Sequence, residues 1–298
     1  MELLMRIQQS PSQWIWVASF MQLFSLFLAW LFPSSVLAVD GFPGTPENYH
    51  GVQLHSFPIG EDTVKVLVPE NALDGKPWIL APSLYSLENP AVAFVTKTEI
   101  ALVKRGFHVV TIPLGNTFGA PEALIKFDRA YQEMTNKYGL AKKATLLGVS
   151  REGLAITRWA AAHPGKVASL YMDKAVCDIK SWPGGKLGMG KGSPANWESL
   201  KKLYGFASDQ EAMEYSGNPI DLASQLVSDK IPMLYLAGEQ DDAVPFSENG
   251  ERMEKEYKRL GGRFELIMHH GEGHHPHGSP DPQPVIEFIE RYSRNSDR

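Results

Sequence analysis

Residues 144–161 have the sequence ATLLGVSREGLAITRWAA, and this stretch decides the fold. A short apolar run is followed by a glycine, a serine and a segment with helical periodicity. That order is typical of a strand, a tight turn and a helix, which together form a nucleophile elbow. We expect Ser150 to project its hydroxyl from the turn and the N–H of Arg151 to stay available to an anionic oxygen. Gly148 suits the crowded position before the serine, whereas Glu152 stands where the pattern calls for a small residue.

The rest of the chain alternates apolar runs with helical segments. Apolar strands separated by helices of ten or more residues predict an α/β fold, with a largely parallel sheet covered by helices on both faces. Residues 177–229 break the alternation, and we expect them to form an insertion that covers the strand ends like a lid. Strands are predicted at 63–68, 78–81, 108–112, 144–147, 167–172, 233–237 and 264–268, and helices at 91–105, 122–138, 247–260, 283–291 and from the elbow to His163.

The N-terminus carries the features of an export signal. Arg6 supplies a positive charge, residues 14–32 are apolar and uncharged, Pro33 breaks the run, and Ala38 ends a small-residue cleavage pattern. Residues 1–38 are therefore predicted to be a signal peptide, with the α/β domain at 39–298 and a periplasmic or extracellular location. The alternative is an uncleaved membrane anchor, because about 20 apolar residues can span a bilayer.

Composition narrows the class of protein. With 298 residues and 43% hydrophobic residues, the chain can bury a large core. The net charge of −5 gives no basic surface for nucleic acid. Cys177 is the single cysteine, so no disulfide can form within the chain. We expect no nucleic-acid partner, and no membrane partner once the signal is removed.

A serine nucleophile needs a base, and the base needs an orienting acid. The chain offers them in the order serine, acid, histidine, each after a separate predicted strand. Asp241 follows the strand 233–237 and is the expected acid, whereas its neighbour Asp242 is expected in solvent. His274, between glycine-containing turns after the last strand, is the expected base. Ser150, Asp241 and His274 are thus the predicted catalytic residues.

An oxyanion hole would combine the N–H of Arg151 with one from the loop after the strand 78–81. Pro82 has no N–H, so Ser83 or Leu84 is the expected second donor, and we take Ser83 as the candidate.

Aromatic residues are the predicted substrate contacts. Trp182 belongs to a Gly/Pro turn, where it either packs into the core or lies against a sugar ring or an aryl acid. Tyr85 follows the candidate oxyanion loop and is predicted to bind substrate as well.

Histidines crowd the segment after the last strand. Imidazole clusters can bind zinc, but no cysteine converges on them and no helical His-Glu-x-x-His spacing is present. We therefore predict no metal site. The five histidines are His269, His270, His274, His275 and His277.

Several motifs between residues 76 and 291 resemble the α/β-hydrolase superfamily, and more narrowly its secreted bacterial prolyl-oligopeptidase-like and acetylxylan-esterase-like members. The motifs are GFHVVTIP (106–113), GVSREGL (148–154), VCDIKSWPGG (176–185), GNPIDLA (217–223), GEQDDAVPFSEN (238–249) and GEGHHPHG (271–278). The resemblance implies a mostly parallel eight-stranded sheet with a lid insertion after its sixth strand. It also implies Ser150, Asp241 and His274 as the triad, no cofactor, and hydrolysis of acyl esters on plant or algal polysaccharides.

The chain departs from that pattern at two places. The family has Ser-Arg-Gly-Gly-Leu where residues 150–154 are Ser-Arg-Glu-Gly-Leu, and its Trp-Arg strand ending is replaced here by Leu-Ala-Pro-Ser at 80–83. A side chain at Glu152 is expected to crowd the elbow, which would open the turn or impair activity.

We therefore expect an exported serine hydrolase that cleaves an acyl ester of a small molecule or glycan. A prolyl-oligopeptidase-type peptidase with the same triad is one alternative. A catalytically impaired binding protein on a hydrolase fold, suggested by Glu152, is another. A metal-binding protein that uses the histidine segment is a third.

Overall fold

Nine strands form one sheet in residues 41–293, the part of the chain that the computed structural model describes. The predicted signal peptide lies outside the described residues. The spatial order of the strands is β1-β2-β3-β5-β4-β6-β7-β8-β9. Their bounds are β1 Glu47–Tyr49, β2 Val52–Ile59, β3 Asp62–Val68, β4 Trp78–Ala81, β5 His108–Thr111, β6 Ala144–Val149, β7 Val167–Asp173, β8 Met233–Gly238 and β9 Phe264–His269.

The strands from β4 to β9 run parallel, and the first three pair antiparallel at one edge. β1 and β2 are joined by His50 and Gly51, both with positive φ, as a two-residue type I′ hairpin turn requires. The predicted α/β class and mostly parallel sheet are confirmed. The sheet has nine strands where the resemblance implied eight. The two strands that the sequence did not locate are β1 and β2, which pair with each other at the edge.

Helices cover both faces of this sheet. One face carries α1 and α8, and the other carries α2, α3, α6 and α7. The inner parallel strands therefore bury side chains on both sides: in β4, Trp78 and Leu80 enter one core and Ile79 the other. The helices are α1 Ala93–Lys104, α2 Pro121–Asn136, α3 Glu152–Ala162, α4 Pro194–Tyr204, α5 Asp209–Glu214, α6 Ala223–Ser228, α7 Gly250–Arg259 and α8 Gln283–Ser293. Of the helices described, none is long and apolar enough to cross a membrane.

A third apolar cluster lies in the long connection between β7 and β8. Trp182, Trp197 and Leu200 come from this connection and pack with Phe118 and Val244, which follow β5 and β8. The connection therefore carries a core of its own that is separate from the two cores of the sheet. Its last helix differs, because α6 packs into the main core beside α7.

Core packing on α2 gives a stability prediction with its control on the same helix. Phe127 is fully buried and Ile125 is 51% exposed. Phe127→Ala should lower the free energy of unfolding by about 3–5 kcal/mol, because it leaves a cavity in the main core. Ile125→Ala should change it by less than about 0.5 kcal/mol. Urea titration followed by circular dichroism measures both, and equal losses would contradict this packing.

Candidate active site

Ser150 occupies a sharp turn between β6 and α3. Its φ is +53°, a left-handed conformation that side-chain-bearing residues rarely adopt. Two backbone hydrogen bonds hold the turn: the Ser150 N–H donates to the Asp173 carbonyl at 2.9 Å, and the Val176 N–H donates to the Ser150 carbonyl at 2.9 Å. The predicted strand–turn–helix thus has the backbone geometry of a nucleophile elbow.

Two glycines make this turn possible. A Cβ at Gly148 would lie 2.7 Å from Ile156, and one at Gly153 would lie 2.8 Å from the Ala175 Cβ. Both distances are too short for a side chain. Glycine is therefore needed at positions 148 and 153, where α3 packs closely against its neighbours. The structure does not show the crowding that was expected at Glu152.

Glu152 instead reaches across to the loop after β4. The Ser83 hydroxyl donates to one of its carboxylate oxygens at 2.7 Å, and the Val149 N–H donates to the other at 3.0 Å. Burial raises the pKa of Glu152, and these two hydrogen bonds act in the opposite direction. The two departures from the family pattern, at residues 80–83 and at 152, are therefore partners in one contact.

Ser150, His274 and Asp241 form a continuous hydrogen-bonded chain. The Ser150 Oγ lies 2.9 Å from His274 Nε2, and His274 Nδ1 lies 2.7 Å from an Asp241 carboxylate oxygen. The other Asp241 oxygen accepts hydrogen bonds from the N–H groups of Ala243 at 3.0 Å and Val244 at 2.8 Å. Because the Asp241 side chain is 1% exposed, its carboxylate is held in one orientation. The structure therefore brings together the three residues that the sequence predicted as a triad.

The neighbouring Asp242 points away from this chain of hydrogen bonds. Its side chain is 61% exposed and forms an ion pair with Lys191. It lies in solvent, as the sequence indicated.

The loops that carry Asp241 and His274 are joined along their backbones. The Glu239 N–H donates to the His269 carbonyl at 3.1 Å, and the Gln240 N–H donates to the Glu272 carbonyl at 2.8 Å. A Cβ at Gly238 would overlap the carbonyl oxygen of Gly273. The acid and the histidine are therefore positioned as one unit.

A second histidine–aspartate pair, which the sequence did not predict, supports the loop that contains His274. Asp173, the last residue of β7, lies 3.1 Å from His277 Nδ1 and accepts a hydrogen bond from the Gly278 N–H. Burial alone would raise the pKa of Asp173, but His277 and the Gly278 N–H outweigh it and hold that pKa below its usual value. A carboxylate that ends an otherwise apolar strand was the sequence signal for this pair.

Lys174 adds a buried cation at the same place. Its ammonium group donates to a Glu272 carboxylate oxygen at 3.2 Å and to the Pro276 carbonyl at 2.5 Å. Glu272 also lies 3.0 Å from His269 Nδ1. The loop on both sides of His274 is thus bound to the end of β7.

The histidines do not form an open metal site. Ring nitrogens of His274, His275 and His277 lie within 4.8 Å of one another. Both nitrogens of His274 face Ser150 and Asp241, however, and His277 Nδ1 faces Asp173. A metal ion here would have to replace those contacts, which makes this donor set a poor fit for one.

A cavity of about 610 Å³ opens beside the Ser150 hydroxyl. Arg151 and Ser83, the candidate oxyanion residues, both line it, as do Trp182 and Tyr85. Trp182 is 8% exposed and packs on Phe118 with ring centroids 5.9 Å apart, so it both belongs to the third core and faces the cavity. All four predicted binding residues are therefore at the cavity that contains Ser150 and His274.

Tyr85 is held from the far edge of the sheet. The Tyr49 hydroxyl of β1 donates to the Tyr85 carbonyl. Burial and the nearby Glu152 raise the pKa of the Tyr85 hydroxyl far above its usual value. This phenol therefore stays protonated and can donate a hydrogen bond.

Solved structures share this fold at low sequence identity. A puromycin-hydrolyzing peptidase from Mycobacterium tuberculosis superposes with a TM-score of 0.59 at 16% identity, over 80% of this chain and 38% of the peptidase. Dipeptidyl peptidase 4 from Porphyromonas gingivalis gives 0.59 at 13% identity, over 81% of this chain and 36% of the peptidase. A candidate lipase from Acinetobacter baumannii gives 0.52 at 16% identity, over 83% of this chain and 92% of the lipase.

These likenesses establish the α/β-hydrolase fold. The chain spans well under half the length of the two peptidases. No protein-family model matches the chain, and no curated protein matches its sequence.

The buried carboxyl group of Glu99, near the site, has a perturbed pKa. Glu99 of α1 is fully buried, and among the described residues neither of its carboxylate oxygens has a hydrogen-bond partner. Burial, followed by the charge of Glu152, raises the pKa of Glu99 to about 8. Glu99 is therefore protonated in the folded protein at neutral pH.

This raised pKa predicts a pH-dependent stability. From pH 4.5 to pH 8 the unfolded chain releases the Glu99 proton and the folded protein keeps it, so stability falls as pH rises through this window. Glu99→Gln removes that fall. Relative to the wild type, the variant should gain on the order of 3 kcal/mol between pH 4.5 and 7.

Denaturant titrations at several pH values measure the effect. Glu61→Gln, in the exposed turn between β2 and β3, is the control and should follow the wild-type pH profile. A wild-type and a Glu99→Gln curve that stay parallel from pH 4.5 to 8 would show that Glu99 is not the source.

Proposed function

We propose that this protein is a serine hydrolase that cleaves an acyl ester through a covalent acyl-enzyme. The observation that carries the proposal is the chain of hydrogen bonds from Ser150 through His274 to the buried Asp241, placed at the mouth of a cavity. A serine on a strained elbow with a base and an orienting acid has the parts that nucleophilic acyl transfer requires.

The steps follow from the positions of these atoms. His274 Nε2 takes the proton of the Ser150 hydroxyl while Oγ bonds to the ester carbonyl carbon. The tetrahedral intermediate then collapses, the ester bond breaks, and the alcohol leaves with the proton from His274. A water molecule next gives its proton to His274 and attacks the acyl group, which releases the acid and restores Ser150. Asp241 accepts the Nδ1–H bond throughout and stabilises the imidazolium form.

The oxyanion of each tetrahedral intermediate needs donors beside Ser150. The N–H of Arg151 and the N–H of Ser83 are the proposed pair, one from each side of the cavity. In this proposal Glu152 is a positioning residue: by accepting the Ser83 hydroxyl, it holds the loop that presents the second donor.

The proposed substrate is a carbohydrate-linked acyl ester. Trp182 and Tyr85 supply aromatic surface in the cavity, which suits the apolar face of a sugar ring or an aryl acyl group. The export signal predicted at residues 1–38 adds a periplasmic or extracellular setting, where polymer-derived esters occur. The mechanism uses no cofactor.

A peptidase is the second candidate function. The two structurally similar proteins from M. tuberculosis and P. gingivalis are peptidases, and the same three residues can attack an amide. A binding protein without turnover is the remaining alternative from the sequence.

An active-site-directed fluorophosphonate tests the nucleophile. Such a probe should label the wild type and fail to label Ser150→Ala, because only an activated serine attacks phosphorus. Ser199→Ala, at an exposed serine on α4, is the matched control and should be labelled like the wild type. Circular dichroism verifies that all three proteins are folded.

The substrate assay completes this test. We expect release of 4-nitrophenol from 4-nitrophenyl acetate and none of 4-nitroaniline from an alanyl anilide. Hydrolysis of the anilide would favour the peptidase. Labelling that persists in Ser150→Ala, or a folded wild type without labelling, would refute the proposed nucleophile.

The contact between Glu152 and Ser83 gives a second kinetic prediction. Glu152→Gly should lower kcat for 4-nitrophenyl acetate by about tenfold or more and change KM little, because a loosened loop weakens transition-state stabilisation. Glu152→Gln retains an acceptor oxygen for Ser83 and should recover much of kcat. Steady-state kinetics of both variants measure this, and a Glu152→Gly enzyme as fast as the wild type would contradict the positioning role.

A further inference from the structure

The guanidinium group of Arg151 lies over two aromatic rings in the wall of the cavity. Its central carbon lies 4.8 Å from the ring centroid of Trp182 and 5.9 Å from that of Phe118. One of its nitrogens donates to the Asn116 side-chain oxygen at 2.8 Å. These contacts restrict the position of the group, and its remaining N–H donors stay available for a ligand.

Arg151 is also the one permanent cation among the residues that line this cavity. Within residues 41–293 no carboxylate oxygen lies within 4 Å of its guanidinium nitrogens, whereas most other arginines described, Arg105, Arg252, Arg259 and Arg291, are in ion pairs. Asn116, its hydrogen-bond partner, is neutral. No carboxylate of the described chain therefore contacts this cation. The charge of Arg151 still acts on Glu152 at longer range, since burial raises the pKa of Glu152 and Arg151 opposes that rise.

The single acidic residue of the lining does not supply that counter-charge by contact. Glu152 is next to Arg151 in sequence, but its two carboxylate oxygens accept hydrogen bonds from Ser83 and Val149 on the other side of the elbow. A partly enclosed cavity whose one arginine has no carboxylate in contact, and whose one carboxylate is already hydrogen-bonded elsewhere, favours a negatively charged ligand.

We propose that the Arg151 side chain binds an anionic group of the substrate, of the carboxylate or sulfate type, beside the Ser150 hydroxyl. This inference rests on the hydrolase function proposed above and narrows its substrate class to acidic esters. The planar guanidinium can donate two parallel hydrogen bonds to such a group, which orients the scissile carbonyl as well as adding affinity.

Arg151 would then serve the site twice. Its backbone N–H is a proposed oxyanion donor, and its side chain would hold the part of the substrate that does not react. Because both come from one residue, the distance between the anionic group and the ester carbonyl would be fixed. The preference for acidic esters should therefore depend on where the charge lies along the substrate.

The test compares esters that differ by one negative charge. One pair is 4-acetoxybenzoate and its methyl ester, with the charge on the alcohol side of the ester bond. The other is mono-4-nitrophenyl succinate and methyl 4-nitrophenyl succinate, with the charge on the acyl side. We expect the wild type to favour the charged member of at least one pair by about tenfold or more in kcat/KM, and Arg151→Gln to reduce that ratio to about one.

The ratio is measured within each protein, so a general loss of activity in Arg151→Gln does not affect it. Arg129→Gln is the matched control, since it removes the same charge from an exposed position on α2 and should keep the wild-type ratio. A wild type that hydrolyses both members of both pairs equally would overturn the proposal. So would a preference that survives in Arg151→Gln.

Binding to the Ser150→Ala variant separates this proposal from the hydrolase function. By calorimetry, the preferred charged ester should bind this variant about tenfold more tightly than its neutral partner, and added salt or a second substitution, Arg151→Gln, should remove the difference. Equal binding, or no binding of either ester, would overturn the anion site. Charge-dependent binding with no turnover by the wild type would keep the anion site and reject the hydrolase.

Discussion

The left-handed backbone of Ser150 is the constraint on which the rest of the site depends. A residue with a side chain pays about 1–3 kcal/mol to adopt this conformation, so its surroundings must hold it there. The end of β7 does so, through the Asp173 carbonyl and the Val176 N–H. The same strand end binds the histidine loop through the Asp173 carboxylate and Lys174. One strand end therefore positions both the serine and the histidine that faces it.

The remaining parts of the site are joined to this centre by short-range contacts. Backbone hydrogen bonds connect the Asp241 loop to the His274 loop, and Glu152 connects the elbow to the Ser83 loop. Each proposed catalytic group is thus held by contacts with a second residue. Such support keeps the groups in place before a ligand arrives, which limits the reorganisation that the proposed reaction requires.

The sequence predicted the α/β fold and identified the three residues that the structure places together. Ser150, Asp241 and His274 could be found because each follows a largely apolar strand, and the carboxyl ends of parallel strands meet at one edge of a sheet. The Ser150–His274 distance of 2.9 Å and the His274–Asp241 distance of 2.7 Å are tertiary contacts, and the strand pattern led us to expect them.

Apart from the edge hairpin of β1 and β2, what the sequence missed depends on contacts between distant segments. The short β1 has only three residues and too weak an alternation to be recognised. Glu152 looked like an obstruction because its partner Ser83 lies 69 positions away. The contact between Asp173 and His277 spans 104 positions and gave no local pattern beyond a charged strand end. Periodicity detects local structure, and it carries no information about which distant polar groups will meet.

The wall that carries Trp182 belongs to a cluster distinct from the two layers that flank the sheet. Most of this wall is therefore built outside the layers that flank the sheet. The two are joined at Val244, which packs in the cluster and whose N–H holds the Asp241 carboxylate. Variation among Trp182, Trp197 and Leu200 can reshape the wall while the strand ends under Ser150 and His274 stay intact. Substitutions in this wall can therefore change which ligands fit the cavity while the arrangement of Ser150, His274 and Asp241 is kept.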